Sequence, residues 1–244
     1  MNVFLNLVWE IVDSCPNVNW VLFAVTAWSL WNNRNTVIHG GNSKGKEGLI
    51  KSGAGYVEEI KSEKTTQRRV HSDVAQKWTP PKQGWYKVNT DGAVFKEAGC
   101  YGIGVVVRNE KGQIMGALCR KLELPLGALE VEAKAVEEGV QFARDLSLGK
   151  IEVESDSLVV VNSLRVPGLT QSCVRKVIDG TRLDLCWFNA WEVSHTHRCC
   201  NTAAHFLARY AKFVTDCVIW VEDTPPMIVY QVLNDVNCMP PSSV

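Results

Sequence analysis

Three acids in this chain stand where local pattern could aim them at one point. Asp91 follows the alternating run Trp85-Tyr86-Lys87-Val88-Asn89-Thr90 and precedes Gly92, so its side chain is expected to project past the end of a strand. Asp156 stands in the same relation to the β-rich run Ile151-Glu152-Val153-Glu154, and α/β sheets favour ligand sites at such strand ends. Glu132 lies near the start of a helical pattern, in Leu129-Glu130-Val131-Glu132-Ala133, on a face shared with Val136 and Gly139. That face must meet the sheet, and a lone inward carboxylate is costly unless it is paired or holds a cation. Clustered carboxylates repel one another, and Mg2+, a hard ion that prefers oxygen ligands, relieves the repulsion. The chemistry that suits such a cluster is phosphodiester cleavage, in which two ions about 3.5–4 Å apart activate water and stabilise the leaving oxygen. Taken alone, Asp156 is equally placed to cap the helix that follows it.

The elements that must carry these acids alternate. Residues 85–90, 102–108 and 113–120 read as strands joined by short connections, an antiparallel meander. A helix over 128–146 follows, with apolar residues at Ala133, Val136, Val140 and Ala143. Next come a strand at 151–154, helices at 156–164 and 174–185, a strand at 187–193 and a helix at 201–212. The order predicts a five-stranded mixed sheet flanked by helices, with the first and fourth strands adjacent if the helix crosses between them. Trp187 and Trp191 alternate on the fifth strand and are expected in the core.

Domain boundaries follow composition. Residues 1–41 form a Trp-rich helical segment with Trp9, Trp20, Trp28 and Trp31. Residues 42–77 turn polar and glycine-rich, a linker leading into a solvated helix that Pro80-Pro81 stops. The catalytic-type domain is expected over 78–215 and a C-terminal tail over 216–244. The apolar run from Trp20 to Trp31 is shorter than the ~20 residues a bilayer crossing needs, so it reads as a buried or partner-binding helix. No secretory signal is evident at the start, which suggests an intracellular protein in nucleus or cytoplasm. Nine cysteines without a C-x-x-C pair read as free thiols of a reducing compartment, and His195, His197 and Cys199 lack the spaced partners of a zinc site. Net charge is zero: residues 1–84 hold 10 Lys/Arg against 7 Asp/Glu, and the remainder holds 16 against 19. Without a basic footprint, tight and strongly salt-dependent nucleic-acid binding is disfavoured.

Taken in order, these segments resemble the ribonuclease H type-1 domain, in its plant reverse-transcriptase-like, retrotransposon-derived form. The matching pieces are Trp78-x-Pro80-Pro81 with Trp85-x-Lys87-x-Asn89-x-Asp91-Gly92, Gly102-x-Gly104-x-Val106-x-Arg108, Leu129-Glu130-Val131-Glu132-Ala133, Val153-Glu154-Ser155-Asp156-Ser157, Asn201-x-x-Ala204-His205-x-Leu207-Ala208 and Trp220-x-Glu222-Asp223-x-Pro225. The resemblance covers about residues 78–230. It implies a ribonuclease H-like fold and metal-dependent cleavage of the RNA strand of RNA–DNA hybrids. The first three acids of that family fall on Asp91, Glu132 and Asp156 as metal ligands. Its loop histidine, ten residues before the fourth acid and linked to product release, falls on His195. The fourth acid itself is replaced by His205, a poorer magnesium ligand than a carboxylate. Activity that is weakened, shifted toward Mn2+ or silent is therefore implied, and histidine is frequent there in the plant group. Hybrid recognition through the shallow minor groove is expected at the backbone of Gly92 and Ala93, at the start of the Glu132 helix and at Asn201. The competing reading is a catalytically silent nucleic-acid-binding or protein-interaction module. The Trp-rich start is a candidate surface for a protein partner.

Overall fold

The computed structural model describes residues 77–124, 126–166 and 170–237, with a few single positions between Phe23 and Lys46. The Trp-rich segment and most of the polar linker expected at residues 1–77 thus lie outside the described residues. The chain separates into two units at His71/Ser72, and the second carries the architecture that follows.

Three antiparallel strands open that unit: β1 (Tyr86–Phe95), β2 (Cys100–Arg108) and β3 (Ile114–Leu122). Helix α1 (Ala128–Asp145) crosses over to β4 (Lys150–Ser155), which returns parallel beside β1. Helices α2 (Leu158–Arg165) and α3 (Arg175–Leu185) lead to β5 (Ala190–His195), parallel to β4. Helix α4 (Thr202–Tyr210), β6 (Cys217–Val221) and α5 (Val229–Asn237) complete the order. The sheet runs β5-β4-β1-β2-β3-β6. The expected mixed sheet is present with six strands rather than five. The extra one, β6, extends β3 antiparallel by pairing Ala117 with Trp220, so part of the stretch read as a tail forms sheet. Among the described residues no helix is long and apolar enough to cross a membrane.

Alternation along β1 sorts its side chains onto two faces. Val88 joins Ile103, Val105 and Val107 beneath Ala133, Val136, Val140 and Ala143 of α1 in the main core. Gly139 lets α1 settle there: a Cβ added to it would stand 2.5 Å from Thr90 Cγ2. The opposite face receives α4, and the glycines of β2 decide how closely. A Cβ at Gly102 would lie 2.0 Å from the Ala208 carbonyl oxygen, and one at Gly104 would lie 2.1 Å from that of Ala204. With hydrogen there instead, the helix backbone rests directly on the strand.

The same face buries polar side chains. Trp78 Nε1 and Arg108 Nη2 both donate to Asn89 Oδ1, at 3.0 and 3.1 Å. Asn89 Nδ2 donates to Glu154 Oε2 at 2.8 Å and Lys87 Nζ to Glu154 Oε1 at 2.6 Å. Arg108 stacks 3.7 Å over the Trp78 ring and donates through Nη1 to Asp235 Oδ2 at 2.7 Å. Each buried cation thus meets an anion, which is the condition for carrying charge inside a fold.

Two aromatic expectations are corrected here. Trp187 lies in the turn before β5, which starts at Ala190, and is 71% exposed; Trp191 is 38% exposed. Strand β5 is an edge, and of its residues only Val193 is buried, so alternation there does not imply core.

Candidate metal centre

The position of Asp91 follows from unequal strand lengths. Expected just past a strand, it lies inside β1, paired in register with Gly104. The parallel neighbour β4 ends at Ser155, opposite Thr90. Beyond that point β1 continues with one flank bare, and Asp91 is its first residue there. Asp156 leaves the end of β4 in a bend, and Ser157, not Asp156, occupies the N-cap of α2. The capping alternative for Asp156 is thereby removed. Glu132 arrives from the second turn of α1, which Gly92 admits closely: a Cβ at Gly92 would stand 3.0 Å from the Glu132 amide nitrogen.

The three acids converge. Asp91, Glu132 and Asp156 each offer an oxygen, and these atoms lie within 4.8 Å of one another. Asp91 is 2% exposed, while Glu132 and Asp156 are half-buried. Glu132 accepts a hydrogen bond from the Gly92 amide, yet its Oε2 is buried with no hydrogen-bond partner. Burial first, then the neighbouring Asp91 and Asp156 charges, push the Glu132 carboxyl up to about 9. Burial also raises Asp91, to about 6, against the opposing pull of His205. Carboxyls that resist ionisation together, one with an orphaned oxygen, form a donor set that a hard divalent cation fits.

His205 enters from α4, on the backbone that Gly104 allows close to Asp91. Its imidazole is buried. Arg198 Nη2 spans both ring nitrogens, 2.8 Å from Nε2 and 3.4 Å from Nδ1, and Nδ1 lies 2.9 Å from Asp91 Oδ2, so the imidazole bridges the guanidinium and the carboxylate. Arg198 went unread in the sequence; the signal available was its place seven residues before His205, in the 3-10 turn Arg198–Cys200 that leads into α4. His195, at the end of β5, is exposed, with Nε2 3.2 Å from the Asp156 carbonyl oxygen and its ring edge-on to His197 at 5.9 Å. It therefore borders the acid cluster without joining it.

The positions read as nucleic-acid contacts lie deeper than expected. Ala93 is buried, Gly92 is half-buried against the start of α1, and Asn201 is 1% exposed. Asn201 Nδ2 donates to the Thr90 carbonyl at 2.8 Å, tying the turn before α4 to the residue next to Asp91.

The chain is similar to several known proteins. A protein of Arabidopsis thaliana named "Putative ribonuclease H protein" is 32% identical over 214 residues, covering 82% of this chain and 33% of its own length. The chain thus spans about a third of that curated relative. A ribonuclease H1 from the archaeon Halobacterium salinarum is 24% identical, with a TM-score of 0.49 over 52% of this chain and 97% of that one. The ribonuclease H1 LC11, solved in complex with an RNA/DNA hybrid, is 21% identical, with a TM-score of 0.44 over 52% of this chain and 95% of that one. Residues 89–211, which hold all three acids as well as His195, Arg198 and His205, match the family described as reverse transcriptase-like, and the chain belongs to that family of ribonuclease H-type proteins.

Proposed function

We propose that this chain is a nucleic-acid-binding ribonuclease H-like protein that cleaves the RNA strand of RNA–DNA hybrids, at reduced efficiency, with Mg2+ or Mn2+. The observation that carries this reading is the convergence of Asp91, Glu132 and Asp156 around an orphaned Glu132 oxygen. Those three side chains would hold the ion. When bound, a divalent ion there supplies a Lewis acid for a phosphodiester. The protein's own part is positional. Asn201 and Gly104 fix the strand and helix that carry Asp91 and His205, and Gly92 brings the start of α1 to the site. The half-buried Glu132 and Asp156 leave one side of the cluster open to a nucleic-acid backbone. His195, exposed at the rim, is placed to handle the departing product.

The second reading, a binding module without efficient chemistry, is favoured by one observation: His205 already occupies Asp91 Oδ2. A labelled RNA–DNA hybrid incubated with the full chain and Mg2+ or Mn2+ separates the two. Cleavage confined to the RNA strand and abolished by Asp91→Asn is expected. Hybrid binding without cleavage under either ion would establish the module instead.

A further inference from the structure

We propose that His205, backed by the Arg198 guanidinium, closes the Oδ2 side of Asp91 to cations, so that the carboxylate cluster takes one divalent ion and not two. This inference rests on the cluster being a metal site, as proposed above.

The argument is one of committed lone pairs. A residue binds a cation only through a lone pair that no proton occupies. His205 Nδ1 faces Asp91 Oδ2 at 2.9 Å, and Arg198 Nη2 lies against the same ring, 2.8 Å from Nε2 and 3.4 Å from Nδ1. In this arrangement Nδ1, committed to the Asp91 carboxylate, offers no lone pair to a metal. Asp91 Oδ2 meanwhile accepts a strong, nearly buried hydrogen bond, which competes with any ion approaching from that side. The guanidinium behind His205 adds a fixed positive charge on the same side, and its field reaches Asp91. A second dication there would face that charge with no anion of its own from α4. The oxygens of Asp91, Glu132 and Asp156, within 4.8 Å of one another, still suffice for a single ion. Arg198 adds to this from behind the ring, spanning both His205 nitrogens and holding its positive charge on the Oδ2 side of Asp91.

Mn2+ titration of the full chain tests this directly, with bound and free ion separated by electron paramagnetic resonance and the heat of binding followed by calorimetry. The wild type is expected to bind one ion per chain, and His205→Asp two. Arg198→Gln, which leaves the helix intact, is expected to keep one ion but bind it about tenfold more tightly, because a like charge near the site is gone. Arg198→Lys, which keeps that charge, should stay close to wild type. Circular dichroism confirms that each variant is folded. Two ions in the wild type, one in folded His205→Asp, or an unchanged affinity in Arg198→Gln would each overturn the inference while leaving the metal site standing. No saturable binding in any form would overturn both.

Discussion

At the scale of single residues, the cluster sets stability against ionisation. Glu132 ionises in an unfolded chain near 4.5 and in the fold only near 9; Asp91 moves from 3.8 to about 6. For a carboxyl raised by folding, the native state holds its proton longer than the unfolded state. Stability from these groups is then greatest below about 3.8, falls first through the Asp91 range and goes on declining as pH climbs toward 9. A divalent ion reverses the sign of the local problem, because it stabilises the ionised forms. The metal-free chain should therefore melt at lower temperature at pH 9 than at pH 6, and added Mg2+ or Mn2+ should raise the melting temperature more at pH 9. Differential scanning calorimetry with chelator and with each ion measures it. A stabilisation by metal that does not grow between pH 6 and 9 would show that Glu132 is no ligand.

At the scale of elements, α4 delivers His205 only because β2 lacks side chains beneath it. Gly104→Ala would put a methyl 2.1 Å from the Ala204 carbonyl oxygen and 2.3 Å from the Ala208 amide nitrogen, both backbone atoms that cannot rotate away. The helix must lift, costing more than about 2 kcal/mol by the usual penalty of overpacking. The His205–Asp91 bond should lengthen with it, so urea denaturation should show the loss of stability and the His205 imidazole NMR signals should shift. Gly99→Ala is a useful contrast, since nothing lies within 4 Å of its Cβ and any cost there comes from its φ of +60° alone. The contrast explains what the sequence could reveal. Period and breakers located the five expected strands and four of the flanking helices, whereas α5 fell in the stretch read as a tail and β1 runs on to Phe95, past its expected end. Asp91, Glu132 and Asp156 were readable because each sits beside a glycine, a strand end or a helix start. Strand β6 has five residues, too few for alternation to stand out, and needs the open edge of β3 to exist. Arg198 went unread because its importance lies in a contact across a turn, to which its spacing from His205 is only an indirect sign. The burial of Asn201 and Ala93 came from α4 and the sheet closing over them, a tertiary fact without a local sign.

At the scale of the whole molecule, residues far apart in the chain are tied by one buried ionic network on the face opposite α1. Trp78 precedes the sheet, Lys87, Asn89, Arg108 and Glu154 belong to three of its strands, and Asp235 comes from α5. The Arg108 side chain is 1% exposed and that of Asp235 7%. Neither has water to fall back on, so the helix at the end of the described chain satisfies a charge at the centre of the sheet. Removing one member strands the other. Asp235→Ala should destabilise the protein by about 3–5 kcal/mol, the usual cost of leaving a buried partner uncompensated. Arg108→Met together with Asp235→Leu should recover most of the loss, because no charge is then left without its counterion. The carboxylate cluster is held by different contacts: Gly92, Gly104 and Asn201 all act nearer to Asp91 than Asp235 does in the network. Well below its melting temperature, Asp235→Ala should thus bind Mn2+ within about twofold of wild type while unfolding at markedly lower urea. Equal loss of both properties would show that α5 supports the metal centre as well as the sheet.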